Sequence, residues 1–247
     1  MTSPARTVAV DDPLPAIVKR FESDKVSAFP VIDGDTLVGI LSSTDLVRAR
    51  AQGTLTADQR ARDCMTREVI SVREDAQLDE AARRMTSARV HRLVVVDAHE
   101  HPVGIVSTRD LLRDVAAAGV QTPLEALMTR EVITIDVGDP IHAGTSLLAE
   151  SNIRGLVVTE GQRPVGVFTH TEAIAARSLP PSLQDNPIET VMSHETICFD
   201  AGVAVHHAAE QAIHMDVRRL LVVRHRKLVG ILSCLDLIGV LCAPNAT

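Results

Sequence analysis

The stretch VGILSSTDLV, Val38 to Val47, returns three more times along the chain. It comes back as VGIVSTRDLL (Val103 to Leu112), VGVFTHTEAI (Val165 to Ile174) and VGILSCLDLI (Val229 to Ile238). A core strand running into a helix needs apolar residues. It does not need a glycine at its second position, a hydroxyl three residues later and a carboxylate three after that. The four glycines, Gly39, Gly104, Gly166 and Gly230, stand 65, 62 and 64 residues apart.

A second element holds register with the first. It reads CMTREVISV from Cys64, LMTREVITI from Leu127 and VMSHETICF from Val191. Met65 lies 39 residues before Gly104, and Met128 and Met192 lie 38 before Gly166 and Gly230. Counting back 38 from Gly39 lands on Met1, in MTSPARTVAV. Two independent elements in step over four copies identify a tandem repeat of about 60 residues.

The second copy reads most clearly. VISV is a short β-branched strand, and DAQLDEAARRMTSA is a helix with Asp75 as its expected N-cap and Leu78, Ala81, Ala82 and Met85 on one face. RLVVVD and VGIVS are strands joined by the polar turn AHEH, and TRDLLRDVAAAG is a second helix ended by Gly119. The order is β-α-β-β-α. A three-stranded unit of this size is marginal alone, so the repeats are expected to pack in pairs, one with two and three with four. Repeat boundaries are expected at 1–60, 61–120, 121–180 and 181–247, with SLPPSLQDNP (Ser178 to Pro187) internal to the second pair.

Composition narrows the function. The chain has 247 residues, 45% of them hydrophobic, enough for two ordinary domains or one large one with a packed core. Aromatics make up 2%, with no Trp or Tyr, which argues against stacking platforms for single-stranded nucleic acid or sugars. The net charge of −7 repels a phosphate backbone. The four arginines of RARAQGTLTADQRAR (Arg48 to Arg62) read as a solvated linker. Cys64, Cys198, Cys234 and Cys242 lack metal or redox spacing and are expected to be free, mostly buried thiols of a reducing cytoplasm. MTSPARTVAVDDP has no signal-like apolar region, and no 18-residue apolar run offers a membrane span. A soluble cytoplasmic protein is expected. His206, His207 and His214 lack the partners a metal site needs, and His99 and His101 fall in a solvated turn.

The β-α-β-β-α order, the lead-in after Met-Thr and the closing Gly-apolar-apolar-[Ser/Thr]-x-x-[Asp/Glu] resemble the CBS domain, the cystathionine β-synthase-type regulatory module. The resemblance covers essentially the whole chain. It implies an α+β fold of four tandem CBS repeats paired into two Bateman modules. Clefts of such modules commonly bind AMP, ADP, ATP or S-adenosylmethionine, while some members serve only in assembly.

The residues suit that chemistry. A carboxylate at the mouth of a helix can accept hydrogen bonds from both ribose hydroxyls. The helix N-terminus beside it favours a phosphate, a Ser or Thr hydroxyl adds a donor, and the glycine permits close approach of a backbone or ligand. The plainer reading is that hydroxyl and acid only cap a helix.

The resemblance also implies a phosphate-binding basic residue just before the second strand of each repeat. Repeat two carries the fullest set: His91, Arg92, Ser107, Arg109 and Asp110. Repeat four carries Arg218, Arg219, Ser233 and Asp236, with Leu235 where a hydroxyl or charge would help. Repeat one carries Ser42, Thr44 and Asp45, but Ser27 and Ala28 supply no cation, so one must come from another repeat. Repeat three carries Arg154, Thr169 and Thr171, with Glu172 in place of Asp and His170 crowding the loop. The expected ranking is two, four, one, three. Arg92, Arg218 and Arg219 also read as surface charges flanking a strand. Base recognition is expected around Val69 to Val72 and Thr196 to Phe199.

No nucleophile elbow, P-loop, Rossmann glycine pattern or His-Glu-x-x-His is present, so catalysis is not expected and no metal is called for. The expected protein is a nucleotide-binding regulator that signals to a partner protein, with a homodimer reasonable. Two alternatives stand beside it: a ligand-independent interaction module, and a nucleic-acid binder using the Arg-bearing linker.

Overall fold

The computed structural model describes residues 1–51, 56, 58–151, 153, 155–177, 179–194 and 196–242. The chain divides into two compact units, Met1–Leu111 with the residues from Leu241 onward, and Leu112–Val240. The first unit holds repeat one and repeat two as far as Leu111, and the second holds the rest of repeat two's last helix with repeats three and four as far as Val240.

Each repeat has the same order of elements. Repeat one is β1 (Val8–Ala9), α1 (Leu14–Asp24), β2 (Ala28–Asp33), β3 (Thr36–Ser42) and α2 (Ser43–Ala51). A single turn, α3 (Ala61–Cys64), leads into repeat two: β4 (Ser71–Arg73), α4 (Leu78–Ala88), β5 (Arg92–Val96), β6 (Pro102–Ser107) and α5 (Thr108–Ala117). Repeat three is β7 (Thr134–Asp136), α6 (Ile141–Ser151), β8 (Gly155–Glu160), β9 (Arg163–Thr169) and α7 (His170–Arg177). Repeat four is β10 (Cys198–Asp200), α8 (Val205–His214), β11 (Arg219–Arg224), β12 (Lys227–Ser233) and α9 (Cys234–Ile238). In every sheet the first strand pairs parallel to the second, and the second pairs antiparallel to the third.

Two local expectations shift. The first strand of repeat two is Ser71–Arg73, so Val69 and Ile70 precede it. Asp75 lies in the turn after that strand and caps nothing; the N-cap of α4 is Gln77, without a side-chain hydrogen bond. Gly119 ends α5 as expected, with φ +62 and its N–H donating to Ala116 O at 3.2 Å.

The repeats of each unit are joined by exchanged lead-ins. Thr2 pairs with Ile105, Thr66 with Ile40, Thr129 with Ile231 and Ser193 with Val167. Each pair makes two reciprocal N–H to O=C bonds, all between 2.9 and 3.1 Å. Thus the Met-Thr or Met-Ser segment of one repeat lies along the third strand of its partner. The four recurring glycines are where it crosses. A Cβ on Gly104 would sit 3.1 Å from the Met1 sulfur and 3.0 Å from the Thr2 carbonyl oxygen. On Gly166 it would sit 2.7 Å from the Met192 sulfur and 2.8 Å from the Ser193 carbonyl oxygen. Met65 lies against Gly39 and Met128 against Gly230 in the same way. At Gly39, Gly166 and Gly230 a Cβ would come closer than real Cβ atoms pack, and at Gly104 it would be tight, so a side chain there forces the crossing segment to shift.

The cores follow the same exchange. Phe29, Leu14, Ile17, Val31 and Leu41 of repeat one are closed by Ala61, with Cys64 and Met65 packed against them. Phe168, Ile141, Leu148 and Leu156 of repeat three are closed by Ile188, with Val191 and Met192 alongside. The segment Ser178 to Pro187 serves this junction. Beyond Ser178, which is outside the described residues, Asn186 O accepts from Ile141 N at 3.0 Å.

The arginine-bearing stretch begins within α2, and its last two arginines are exposed while contacting Asp11. Arg48 and Arg50 lie within α2. Arg60 donates to Asp11 O at 2.6 Å, and Arg62 is ion-paired to Asp11. Residues 52–55 and 57 lie outside the described residues.

Gly230→Ala is expected to lower unfolding stability by about 1–3 kcal/mol through overpacking against Met128. Met128→Ala in the same chain should recover part of that loss. Denaturant unfolding of both single variants and the double variant measures the coupling, and strict additivity would contradict the contact.

Candidate functional site

The closing motif builds the same local structure four times. Asp45 Oδ2 accepts the Ser42 N–H at 2.8 Å and the Ser42 hydroxyl at 2.6 Å. Asp110 Oδ2 accepts from Ser107 at 2.9 and 2.6 Å, and Asp236 Oδ2 from Ser233 at 2.6 and 2.7 Å. In return, the Asp N–H donates to the hydroxyl at 3.3 to 3.4 Å. These are capping boxes, with the acid at the third helical position. Glu172 makes the equivalent contacts to Thr169, at 2.8 and 2.5 Å, so the longer side chain reaches the same place. The Thr171 N–H donates to the Thr169 hydroxyl at 3.2 Å. Capping and ligand contact therefore compete for the same carboxylate, but the box uses one of its oxygens.

At Asp110 the motif opens on a cavity of about 150 Å³. Its floor comes from repeat two: Ile105, Ser107, Asp110 and Arg92. Its other walls come from repeat one: Thr2, Ala5 and Arg6 of the crossing lead-in, and Lys25 to Ala28 between α1 and β2. The exchange of lead-ins thus brings Thr2–Arg6 to the acid of repeat two. Val69 to Val72, the expected base-reading segment, do not line this cavity. Enclosed small-molecule sites usually run from about 300 Å³ upward, so this one can hold part of a ligand while the rest reaches solvent.

The electrostatics are mixed. Burial pushes the Asp110 carboxyl up, but hydrogen bonds from the Met1 ammonium and from Ser107 outweigh it and hold the group below the ordinary carboxylate value. The Met1 ammonium donates to Asp110 Oδ1 at 2.8 Å. The Arg92 guanidinium crosses to the Ser27 hydroxyl at 2.6 Å. Arg6 pairs with Asp24 at 3.6 Å.

The other expected residues are placed as follows. His91 holds the start of α5 by its carbonyl, which accepts the Thr108 N–H at 3.0 Å, and its side chain does not line the cavity. Arg109 and Thr44 are exposed on the first turns of α5 and α2. Arg219 pairs with Ser233 across β11 and β12, and the Arg218 carbonyl accepts the Cys234 N–H at 3.1 Å. Leu235 and His170 stand in the first turns of α9 and α7. Arg154 lies outside the described residues.

Arg6 and Lys25 line the cavity but were not among the expected site residues. The expected cation positions in repeat one were Ser27 and Ala28, whereas Lys25 lies three residues before β2 and Arg6 arrives through the exchanged lead-in. The signal for Lys25 was present in the repeat alignment, where Lys25 and Arg89 occupy the same position.

The histidines and cysteines are placed apart from this cavity. His206 and His207 have ring centroids 3.9 Å apart, His206 Nδ1 lies 2.9 Å from Val120 O, and His101 pairs with Asp97 at 3.3 Å. Among the described residues no group of three His, Cys, Asp or Glu is placed to hold a metal ion. All four cysteines are free, but only Cys234 is buried; Cys64 and Cys242 are partly exposed and Cys198 is exposed, because β10 lies at a sheet edge. Burial pushes the Cys234 thiol up to about 11. No helix among the described residues is long and apolar enough to cross a membrane.

Paired β-α-β-β-α repeats with exchanged lead-ins, and at Asp110 a capped acid facing the partner repeat, define a class of paired-repeat module. The family model for the CBS domain matches residues 1–52, 61–117, 124–178 and 188–243. The chain belongs to the CBS domain family, with two Bateman-type pairs. It is similar to protein MJ1225 of Methanocaldococcus jannaschii, at TM-score 0.76 and 19% identity over 97% of both chains. It is similar also to a conserved protein of Pyrococcus horikoshii, at TM-score 0.72 and 26% identity over 98% of this chain and 97% of the other. In sequence it is 28% identical over 186 residues to protein MJ1404 of M. jannaschii. That match covers 69% of this chain and 44% of the relative, so the chain spans less than half of that protein.

Two measurements check the local chemistry. Asp236→Ala removes a capping box and should cost about 1 kcal/mol in denaturant unfolding. Brief alkylation of the native chain at neutral pH, read by mass spectrometry, should mark Cys198 first. Cys234 should react only on unfolding, since burial suppresses its thiolate.

Proposed function

We propose that the chain is a non-catalytic regulatory protein that binds adenosine-containing nucleotides between paired CBS repeats and passes the binding event to a partner protein. The observation that carries the reading is the Asp110 carboxylate, set in a cavity with one repeat as its floor and the other as its walls. In this reading the ribose hydroxyls donate to Asp110, and the ligand displaces or shares the ammonium now at Oδ1. The lead-in Thr2–Arg6 faces the base. A ligand touching both repeats favours one relative arrangement of them, which is how binding becomes a signal. By repeat equivalence, Asp45 with Ser42 and Thr44, Asp236 with Ser233, Arg218 and Arg219, and Glu172 with Thr169 and Thr171 form further clefts. Cytoplasmic location and formation of a homodimer belong to the same reading.

The second reading is an interaction module without ligand. It is favoured by the capping boxes, which by themselves account for the hydroxyl and the acid of the motif.

Thermal melts with AMP, ADP, ATP and S-adenosylmethionine separate the two. Ligand at about 100 times its Kd should stabilise the chain by about 2.7 kcal/mol per occupied cleft, and Asp110→Asn should lower the shift by the share of its own cleft with the fold retained. No shift with any of these compounds would favour the interaction module.

A further inference from the structure

The first unit contains a second cavity, of about 300 Å³, which shares no residue with the one at Asp110. It lies between the tip of the β2–β3 hairpin of repeat one, the alternate residues Arg67, Val69 and Ser71 of the lead-in to repeat two, and the β5–β6 turn. Thr36 lines it at the start of β3, whereas the capping box of repeat one, Ser42 with Asp45, stands at the far end of that strand. The length of the strand separates the two by about 20 Å, so this cavity is apart from the clefts at the motif acids.

Its charges are unevenly matched. Glu100 pairs with Arg73 at 3.6 Å, and His101 with Asp97 at 3.3 Å. The His99 ring lies 5.9 Å from that of His101. The exposed Asp35 carboxylate and Arg67 guanidinium line the same cavity, yet neither makes an ion pair among the described residues. Opposite charges that share a cavity without meeting are complementary to a small molecule that carries both signs itself. The hydroxyls of Thr36 and Ser71 and the aliphatic side chains of Leu37 and Val69 lie with them.

We infer that this cavity binds a free α-amino acid with an aliphatic side chain. The ligand carboxylate accepts hydrogen bonds from Arg67, its ammonium donates to Asp35, and its side chain lies on Leu37 and Val69. The planar fork of an arginine matches a carboxylate at two points, which fixes the ligand's direction. The second unit is built differently at the same places. Four residues before the motif glycine it carries Gln162 and Arg226 where the first unit carries Asp35 and Glu100, and His194 stands at the position of Arg67. One site per chain is therefore expected. Asp35 belongs to repeat one and Arg67 to repeat two, so an occupant touching both favours one arrangement of the pair. The inference goes beyond the nucleotide reading and stands without it.

The test is calorimetric titration of the full chain with leucine, valine and methionine, and with the N-acetyl and amide derivatives of the tightest binder. At least one of the three should bind once per chain with a Kd of about 1 mM or tighter. Each derivative lacks one of the two charges and should bind about tenfold more weakly. Arg67→Gln and Asp35→Asn, both at exposed positions, should each weaken the amino acid about tenfold. Arg67→Gln should leave the amide within about twofold, and Asp35→Asn should do the same for the N-acetyl derivative. If none of the three amino acids binds, if the derivatives bind as tightly as the parent, or if either substitution leaves the affinity unchanged, the inference fails and the nucleotide reading is untouched.

Discussion

The close crossing of a methionine over a glycine is the contact on which the rest depends. At four places a lead-in segment leaves its own repeat and lies along the third strand of the partner, over a glycine whose missing Cβ leaves it room. Reciprocal backbone hydrogen bonds fix the register on either side. The exchange closes cores that a three-stranded unit could not close by itself. Ala61 seals repeat one and Ile188 seals repeat three. Pairing is therefore a condition of folding within each unit.

The same exchange makes the site. An acid at the start of a helix is common, and its first task here is to cap that helix. What turns a cap into a candidate site is the company brought to it. Thr2–Arg6 and Lys25–Ala28 reach Asp110 because repeat one lends its lead-in to repeat two. The capping box uses one carboxylate oxygen, and the other accepts an ammonium. A carboxylate held in this way is ionised, oriented and able to exchange a donor on one oxygen without uncapping the helix.

Periodicity made the architecture legible. Gly39, Gly104, Gly166 and Gly230 and the methionines before them set the repeat, and the apolar strands around polar turns set the hairpins. The motif acids were legible as helix-start residues for the same reason. The direction of the exchange was not. Spacing along the chain cannot tell whether Met65 lies over Gly104 of its own repeat or Gly39 of its neighbour. The segments at which the resemblance placed base recognition, Val69 to Val72 and Thr196 to Phe199, do not line the cavity at Asp110, which is lined by Thr2, Ala5 and Arg6 from the lead-in. Lys25 was visible as a basic position aligned with Arg89, but its place in the cavity at Asp110 is set by packing between repeats. The exposure of Cys198 depends on a sheet edge, which composition does not reveal.

The most direct test is a crystal structure of the chain with AMP. The account predicts ribose hydroxyls within hydrogen-bonding distance, about 2.5–3.0 Å, of the Asp110 carboxylate, with Thr2–Arg6 along the base. AMP bound elsewhere, with Asp110 still holding its cap and the Met1 ammonium, would contradict it.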